Sequence, residues 1–203
     1  MFDAATPKGE QAISSILDAA ETLFLSKGFN GTSMRDIAQE AGYKSVAGIY
    51  NHFSDKEAIF TGLIAARSPY EEIYRTIQEL DVETQQEFIG RVFLTLTDMM
   101  QKHSNFVRLV LVDYLEFNAE HIQKLIEGFQ QQIFSIYAKF ENASELRQDF
   151  PPVVFMRIIG IQIFGYMMTS LIMPHHLLEM LSEEQWKAVI MDILANGLFK
   201  EST

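Results

Sequence analysis

Between Thr32 and Phe60 the chain holds three short runs at helical spacing, each punctuated by a glycine or a capping pair. Met34, Ile37, Ala38 and Ala41 repeat at i, i+3, i+4 and i+7. Ser33 and Asp36 have capping-box spacing, with Asp in the usual place of Glu, and Gly42 stops the run. A second run spans 45–53 and turns Ile49 and Phe53 to one side; Ser54-Asp55-Lys56-Glu57 then repeats the capping signature and opens a third run through Ile59, Phe60, Leu63 and Ile64. The first two runs are about nine residues each, below the ~12–15 that an isolated helix needs in water. They form only by burying a face against neighbours, so the stretch must be the centre of a small helical domain.

Upstream, Ile13, Ile16, Leu17, Ala20, Leu23 and Phe24 fall at helical spacing between Gln11 and Lys27, and Gly28 ends that helix. The first nine residues, with Pro7 and Gly9, read as a loose polar arm. Two short helices joined by a Gly-containing turn and braced by a longer helix on each side fit a helix-turn-helix. Pro69 marks the expected boundary, which gives domains 1–67 and 68–203. Beyond it helical spacing continues over 70–80, 84–102, 105–117, 121–140, 152–173 and 183–200, with polar or proline-bearing joints at 81–83, 103–104 and 142–151. No sustained period-two alternation is present, so the predicted fold class is all-α: a DNA-binding-type helical domain followed by a larger helical one.

Charge is unevenly spread. The formal net charge is −11, yet residues 1–67 carry six basic and eight acidic side chains, so most of the acid lies outside the helix-turn-helix stretch. That balance argues against a protein that coats nucleic acid by bulk electrostatics. No cysteine is present, which removes disulfides, thiolate metal sites and cysteine nucleophiles. The N-terminus lacks a basic region followed by an apolar run, so a signal peptide is not expected and a cytoplasmic setting is. The longest charge-free run, 158–178, is interrupted by Pro174. The preceding part gives roughly 24 Å of helix against the ~30 Å of a bilayer core, so no membrane association is expected.

A helix in the major groove reads base edges with its exposed face and is held by its inner face. Lys44, just ahead of the second run, has the reach for a phosphate, and within the run Ser45 has it for a cap and Asn51 for an adenine edge. Ala47 and Gly48 are small enough for close approach, and Tyr50 and His52 can reach backbone oxygens. Arg35 projects from the first turn of the preceding helix and Lys56 opens the following one. A plain surface helix on an all-helical protein is the competing reading of the same periodicity.

The run TSMRDIAQEAGYKSVAGIYNHFSDKEAIF, with Ala19-Ala20, Leu23-Phe24 and Gly28-Phe29 upstream, resembles the DNA-binding signature of the TetR family of bacterial transcriptional regulators. The resemblance covers about residues 11–66. It implies a homodimeric, ligand-responsive repressor that pairs a DNA-binding domain with a helical regulatory domain. By position it puts Arg35, Tyr50, His52 and Lys56 on DNA, with Tyr50 and Lys56 on phosphate. One feature departs from the family: the turn from Ala41-Gly42 to His52-Phe53 is one residue longer. Counting back from Phe53 places Val46, Ala47 and Gly48 at the family's base-reading positions, whereas periodicity sends Val46 inward with Ile49. The expected DNA-contacting set is therefore Ser33, Arg35, Lys44, Ser45, Val46, Ala47, Gly48, Tyr50, Asn51, His52 and Lys56, against a double-stranded operator.

The C-terminal part is rich in Met and aromatic residues. Most belong to an ordinary core, but Met-lined apolar cavities accept varied hydrophobic ligands. With the pocket that the resemblance implies among the middle helices, the expected effector-binding set is Phe93, Met100, Phe106, Asp113, Phe117, Phe129, Phe164 and Met167. Asp113 and Glu116 would admit a cationic ligand; solvated carboxylates, or pairs with Arg108 or Lys124, are the simpler reading. The 152–173 run is apolar nearly all round, so it must be covered on more than one side. The resemblance implies that the last two long helices pair two subunits. His175 and His176 with Glu179 read as a surface pair and not as a metal site. No phosphate-cradling glycine loop, Gly-x-Ser-x-Gly elbow or His-Glu-x-x-His run occurs. Neither enzyme nor cofactor is expected. The competing function is a small-molecule or protein-binding module that keeps the helix-turn-helix as scaffold without reading DNA.

Overall fold

The computed structural model describes residues 7–82, 84–141 and 152–198. Of the arm expected over 1–9, residues 7–9 are helical and 1–6 lie outside the described residues, as do residue 83 of the 81–83 joint and the joint at 142–151. Twelve helices and no strand occur among the described residues, which divide into two compact units.

The first unit takes residues up to Ser68 and then His103–Gly128. It contains α1 (Pro7–Lys27), α2 (Met34–Glu40), α3 (Ala47–Tyr50), α4 (Lys56–Arg67), α7 (Ser104–Phe117) and α8 (Glu120–Gly128). A cut at 67/68 therefore leaves out two helices that pack with the N-terminal ones. Ile16, Ala20 and Phe24 of α1, Ile37 of α2, Ile49 of α3, and Ile59, Phe60 and Leu63 of α4 form the core, and Phe106, Leu109 and Ile122 of α7 and α8 close it. The rings of Phe24, Phe29, Phe60 and Phe117 stack edge-on or tilted at centroid distances from 4.6 to 5.6 Å. Such pairs add about 0.5–1.5 kcal/mol each beyond the area they bury.

Gly28 and Gly42 end α1 and α2 as predicted. Both are left-handed, at φ 75° and 78°, which a side chain would resist. The end of α4 is fastened to α1 by Arg67, which pairs with Asp18 and donates from Nε to Glu21 at 2.6 Å. Glu21 also accepts from Asn105 of α7 at 2.8 Å, so one carboxylate joins three helices.

The second unit holds Pro69–Lys102 and the chain from Phe129 onward. Its helices are α5 (Tyr70–Gln78), α6 (Gln85–Lys102), α9 (Gln130–Glu141), α10 (Pro152–Ile172), α11 (His175–Leu178) and α12 (Glu183–Leu198). The helix expected over 121–140 is cut at Gly128-Phe129, where the chain passes from one unit to the other; glycine costs a helix interior about 1 kcal/mol relative to alanine.

Here α5, α10 and α12 all pack on α6. A Cβ at Gly90 would come within 2.5 Å of the Met191 methyl, the flexible end of a side chain on α12. Gly160 and Gly165 of α10 have nothing within 4 Å of that position among the described residues. Lys187 of α12 bridges Asp98 of α6 at 2.7 Å and Glu183 at 2.8 Å; burial disfavours its charge, but the two carboxylates more than offset this and raise its pKa. Among the described residues no helix is long and apolar enough to cross a membrane.

Candidate nucleic-acid interface

The interface begins with a cap. Ser33 is the N-cap of α2 and the predicted box is complete: its Oγ accepts from Asp36 N at 3.2 Å, and Asp36 Oδ2 accepts from Ser33 N at 2.8 Å. The Ser33 hydroxyl, expected on DNA, also donates to Asp36 at 2.6 Å. The Ser33 hydroxyl and N–H hold the Asp36 carboxyl below its ordinary range. Arg35, one residue into the helix, is exposed and makes no side-chain hydrogen bond among the described residues.

At the other end of α2 the chain stops in a Schellman arrangement. Gly42 N donates to Gln39 O at 3.1 Å and Tyr43 N to Ala38 O at 2.8 Å. This fixes the backbone from which Tyr43 projects. Its ring is half-buried against the core, and a Cβ at Gly48 would lie 2.8 Å from Tyr43 Cε1 and closer still to Cδ1. The space expected to be open for DNA above Gly48 is thus filled by Tyr43, a residue outside the expected set.

The segment after the turn is shorter than the 45–53 expected. Regular α-helix covers only Ala47–Tyr50, although Phe53 N still reaches Ile49 O at 3.0 Å. Ser45 does not cap it; the N-cap is Val46, without a side-chain bond, and Gly48 weakens the only full turn. What holds the segment is burial: Ile49 and Phe53 are in the core and Val46 packs against it, as periodicity indicated. Lys44, Ser45, Ala47, Tyr50 and Asn51 are exposed on the other side, and His52 is half-buried.

The expected cap of α4 shifts by one residue. Asp55, not Ser54, is the N-cap, and its Oδ1 accepts from Ala58 N at 2.7 Å while Ser54 Oγ donates to Oδ2 at 2.8 Å. The Ala58 N–H, followed by the Ser54 hydroxyl, lowers the Asp55 pKa. A carboxyl lowered on folding stabilises the fold at pH values above its unfolded pKa, about 3.9, and loses that contribution as pH falls through its folded value. The protection of amides in the first turn of α4, measured relative to their intrinsic exchange rates, is therefore expected to fall on acidification from pH 5 to pH 3, and Asp55→Asn, which caps without titrating, is expected to remove that local loss of protection.

Lys56 is the residue whose placement departs most from expectation. Its Nζ donates to Phe29 O and Thr32 O, both at 2.7 Å, and lies 4.2 Å from the Phe29 ring centroid. Burial lowers its pKa against the pull of Glu116. Two of its three donors tie the α1–α2 loop to α4, so its first task is structural. Lys56→Met is expected to cost about 2 kcal/mol in urea denaturation, because two carbonyls lose a charged donor.

The expected effector-binding residues do not come together in one unit. Phe106, Asp113 and Phe117 belong to the first. Phe106 is in the core, Phe117 stacks on Phe29 and Phe60, and Asp113 is fully buried. His121 Nδ1 lies 2.7 Å from Asp113 Oδ1, and Ile122 N donates to Oδ2 at 2.9 Å. Neither simple reading of that carboxylate holds: it is not solvated, Arg108 donates to Leu25 O, and Lys124 pairs with Glu120. With both oxygens occupied, it is not available to a cationic ligand. Glu116 is exposed and accepts from Asn30.

Phe93, Met100, Phe129, Phe164 and Met167 belong to the second unit. Phe93 and Met167 are buried and Met100 and Phe129 half-buried, but Phe164 is 50% exposed. With Ile161 and Ile172 it makes an apolar outer face on α10, so one side of this helix is left uncovered among the described residues. His175, His176 and Glu179 are exposed, and the described residues contain no cluster of three or more side chains able to hold a metal ion.

Residues 16–63 match the family described as bacterial regulatory proteins, tetR family. The chain is 45% identical over 49 residues to YfiR, an uncharacterized HTH-type transcriptional regulator of Bacillus subtilis; the match spans 24% of this chain and 23% of that one. It is 27% identical over 137 residues to the HTH-type transcriptional repressor KstR2 of Rhodococcus jostii, covering 66% of this chain and 57% of that one. The chain thus spans less than two thirds of either relative. A crystal structure of a putative tetR family transcription regulator from a Shewanella species has a TM-score of 0.70 at 17% identity, covering 94% of this chain and 99% of the other, a likeness of fold.

Proposed function

We propose that this chain, which belongs to the tetR family of bacterial regulatory proteins, is a DNA-binding transcriptional repressor released from its operator by a small apolar or amphipathic molecule. The observation that carries the reading is the α2–turn–α3 segment: Ile37, Ile49 and Phe53 are locked in the core, while Arg35, Lys44, Tyr50 and Asn51 stand exposed. The likeness to KstR2, a transcriptional repressor, supports the sign of the regulation.

Fluorescence anisotropy with the DNA flanking the protein's own gene tests this at ~50 mM salt. Saturable, sequence-dependent binding is expected, and its absence defeats the reading. Tyr50→Phe weakens all sequences alike if Tyr50 holds a phosphate, whereas Asn51→Ala alters preference at one position.

In this reading two copies pair through α10 and α12, whose exposed apolar residues include Ile161, Phe164, Val189 and Ile193. A two-fold pair presents two reading segments to successive half-sites. Ile161→Asp with Ile193→Asp is expected to convert a dimer to monomers by light scattering and to weaken operator binding by tenfold or more. The effector lodges in the second unit near Phe93, Met100, Phe129 and Met167, and it favours a subunit arrangement that no longer matches the half-sites. Release then requires only that effector and operator prefer different states.

A further inference from the structure

We propose that Tyr43, and not Gly48, supplies the base-contacting group at the start of the reading segment, through contact of its ring with a thymine methyl in the major groove. The proposal rests on the DNA-binding reading above and names the residue that gives it specificity at this point.

Three observations carry it. The Schellman stop of α2 pins the Tyr43 backbone through its N–H to Ala38 O at 2.8 Å, so the ring starts from a fixed point. Gly48 has no side chain of its own, and the direction its Cβ would take runs into the Tyr43 ring, 2.8 Å from Cε1. Whatever approaches Gly48 from that side meets a phenol. The ring is also only half-buried, beside exposed Lys44, Ser45 and Ala47, and its hydroxyl makes no hydrogen bond to protein among the described residues.

The chemistry follows from the groove. The N-terminal residues of a reading helix meet base edges. Here Ala47 offers a single methyl and Gly48 nothing, so their hydrogen-bonding capacity is nil. A seated aromatic ring is rigid and brings apolar surface at low entropic cost. The apolar group of the major groove is the thymine C5 methyl. Gly48 is then required to seat the ring, not to let DNA come close.

The test uses the full chain. A duplex is first selected from a random pool by the wild-type protein, and each dT of the selected site is then replaced singly by dU, which removes only the methyl. For wild type and for Tyr43→Phe, one replacement near the reading segment is expected to weaken binding about fivefold. Tyr43→Ala should be indifferent to that same replacement. Gly48→Ala, which displaces the ring and leaves it in the protein, should be indifferent as well, and it carries the test if Tyr43→Ala does not fold. If each replacement weakens wild type and both variants by equal factors, Tyr43 touches no base and the proposal is overturned while DNA binding stands. If the wild-type protein selects no sequence, the DNA-binding reading itself fails and this proposal with it.

Discussion

Asp113→Ala is expected to lower the stability of the first unit by about 3 kcal/mol or more, the usual cost of removing one partner from a buried pair. Asp113 is fully buried in α7, and its two oxygens meet the His121 ring and the Ile122 N–H at the start of α8. Between these helices Asn118 and Ala119 both sit at positive φ, 52° and 66°, a conformation that alanine disfavours. Asp113 also holds that corner through its own backbone, since Ala119 N donates to Asp113 O at 3.1 Å. Loss of the carboxylate leaves an imidazole and an amide without acceptors inside the fold. His121 is enclosed by the Phe60 and Phe117 rings, and its Nε2 faces Glu57 of α4 at 3.8 Å. Urea denaturation followed by amide exchange in α7 and α8 measures the effect. The Asp113→Ala, His121→Ala double variant should lose less than the sum of the single losses, because the two act as one pair. A loss under 1 kcal/mol for Asp113→Ala would show that the pair is not what closes the corner.

The second large effect is expected at Phe60. Its side chain is fully buried, and its ring lies 5.6 Å from Phe24, 5.5 Å from Phe29 and 5.3 Å from Phe117. Phe60→Ala removes the ring that α1, the α1–α2 loop and α7 share, at about 4 kcal/mol by comparison with other buried Phe truncations. The consequence should reach DNA binding, since Ile49 of the reading segment rests in the same core. Calorimetry and anisotropy on one preparation separate the two: both losses should appear together in Phe60→Ala, whereas Asn51→Ala should alter binding with little change in melting temperature.

Local signals in the sequence were readable because they act over a few residues. The Ser33–Asp36 box, the left-handed glycines 28 and 42, and the inward spacing of Ile37, Ile49 and Phe53 all depend on neighbours three or four positions away. The return of α7 and α8 to the first unit was not readable. Phe106, Leu109 and Ile122 announce a buried face, but periodicity does not say which core it joins. The same limit hid Lys56, whose acceptors Phe29 O and Thr32 O lie 27 and 24 residues away. It also misassigned Asp113, whose partner His121 stands one left-handed corner further on. At the reading segment the extra residue was visible, but its outcome depended on where a ring settles. Tyr43 settles on Gly48, and a glycine that looked open for DNA is covered.

A hydroxyl-radical footprint of the selected duplex with the full chain at ~50 mM salt tests most directly whether α2 and α3 read DNA as a pair of copies. Two protected windows on one face, one helical turn or a whole number of turns apart, are expected. Asn51→Ala should weaken both windows equally without lowering the melting temperature. Uniform cleavage of the duplex at protein concentrations that saturate non-specific contacts would contradict a DNA-reading role for this segment.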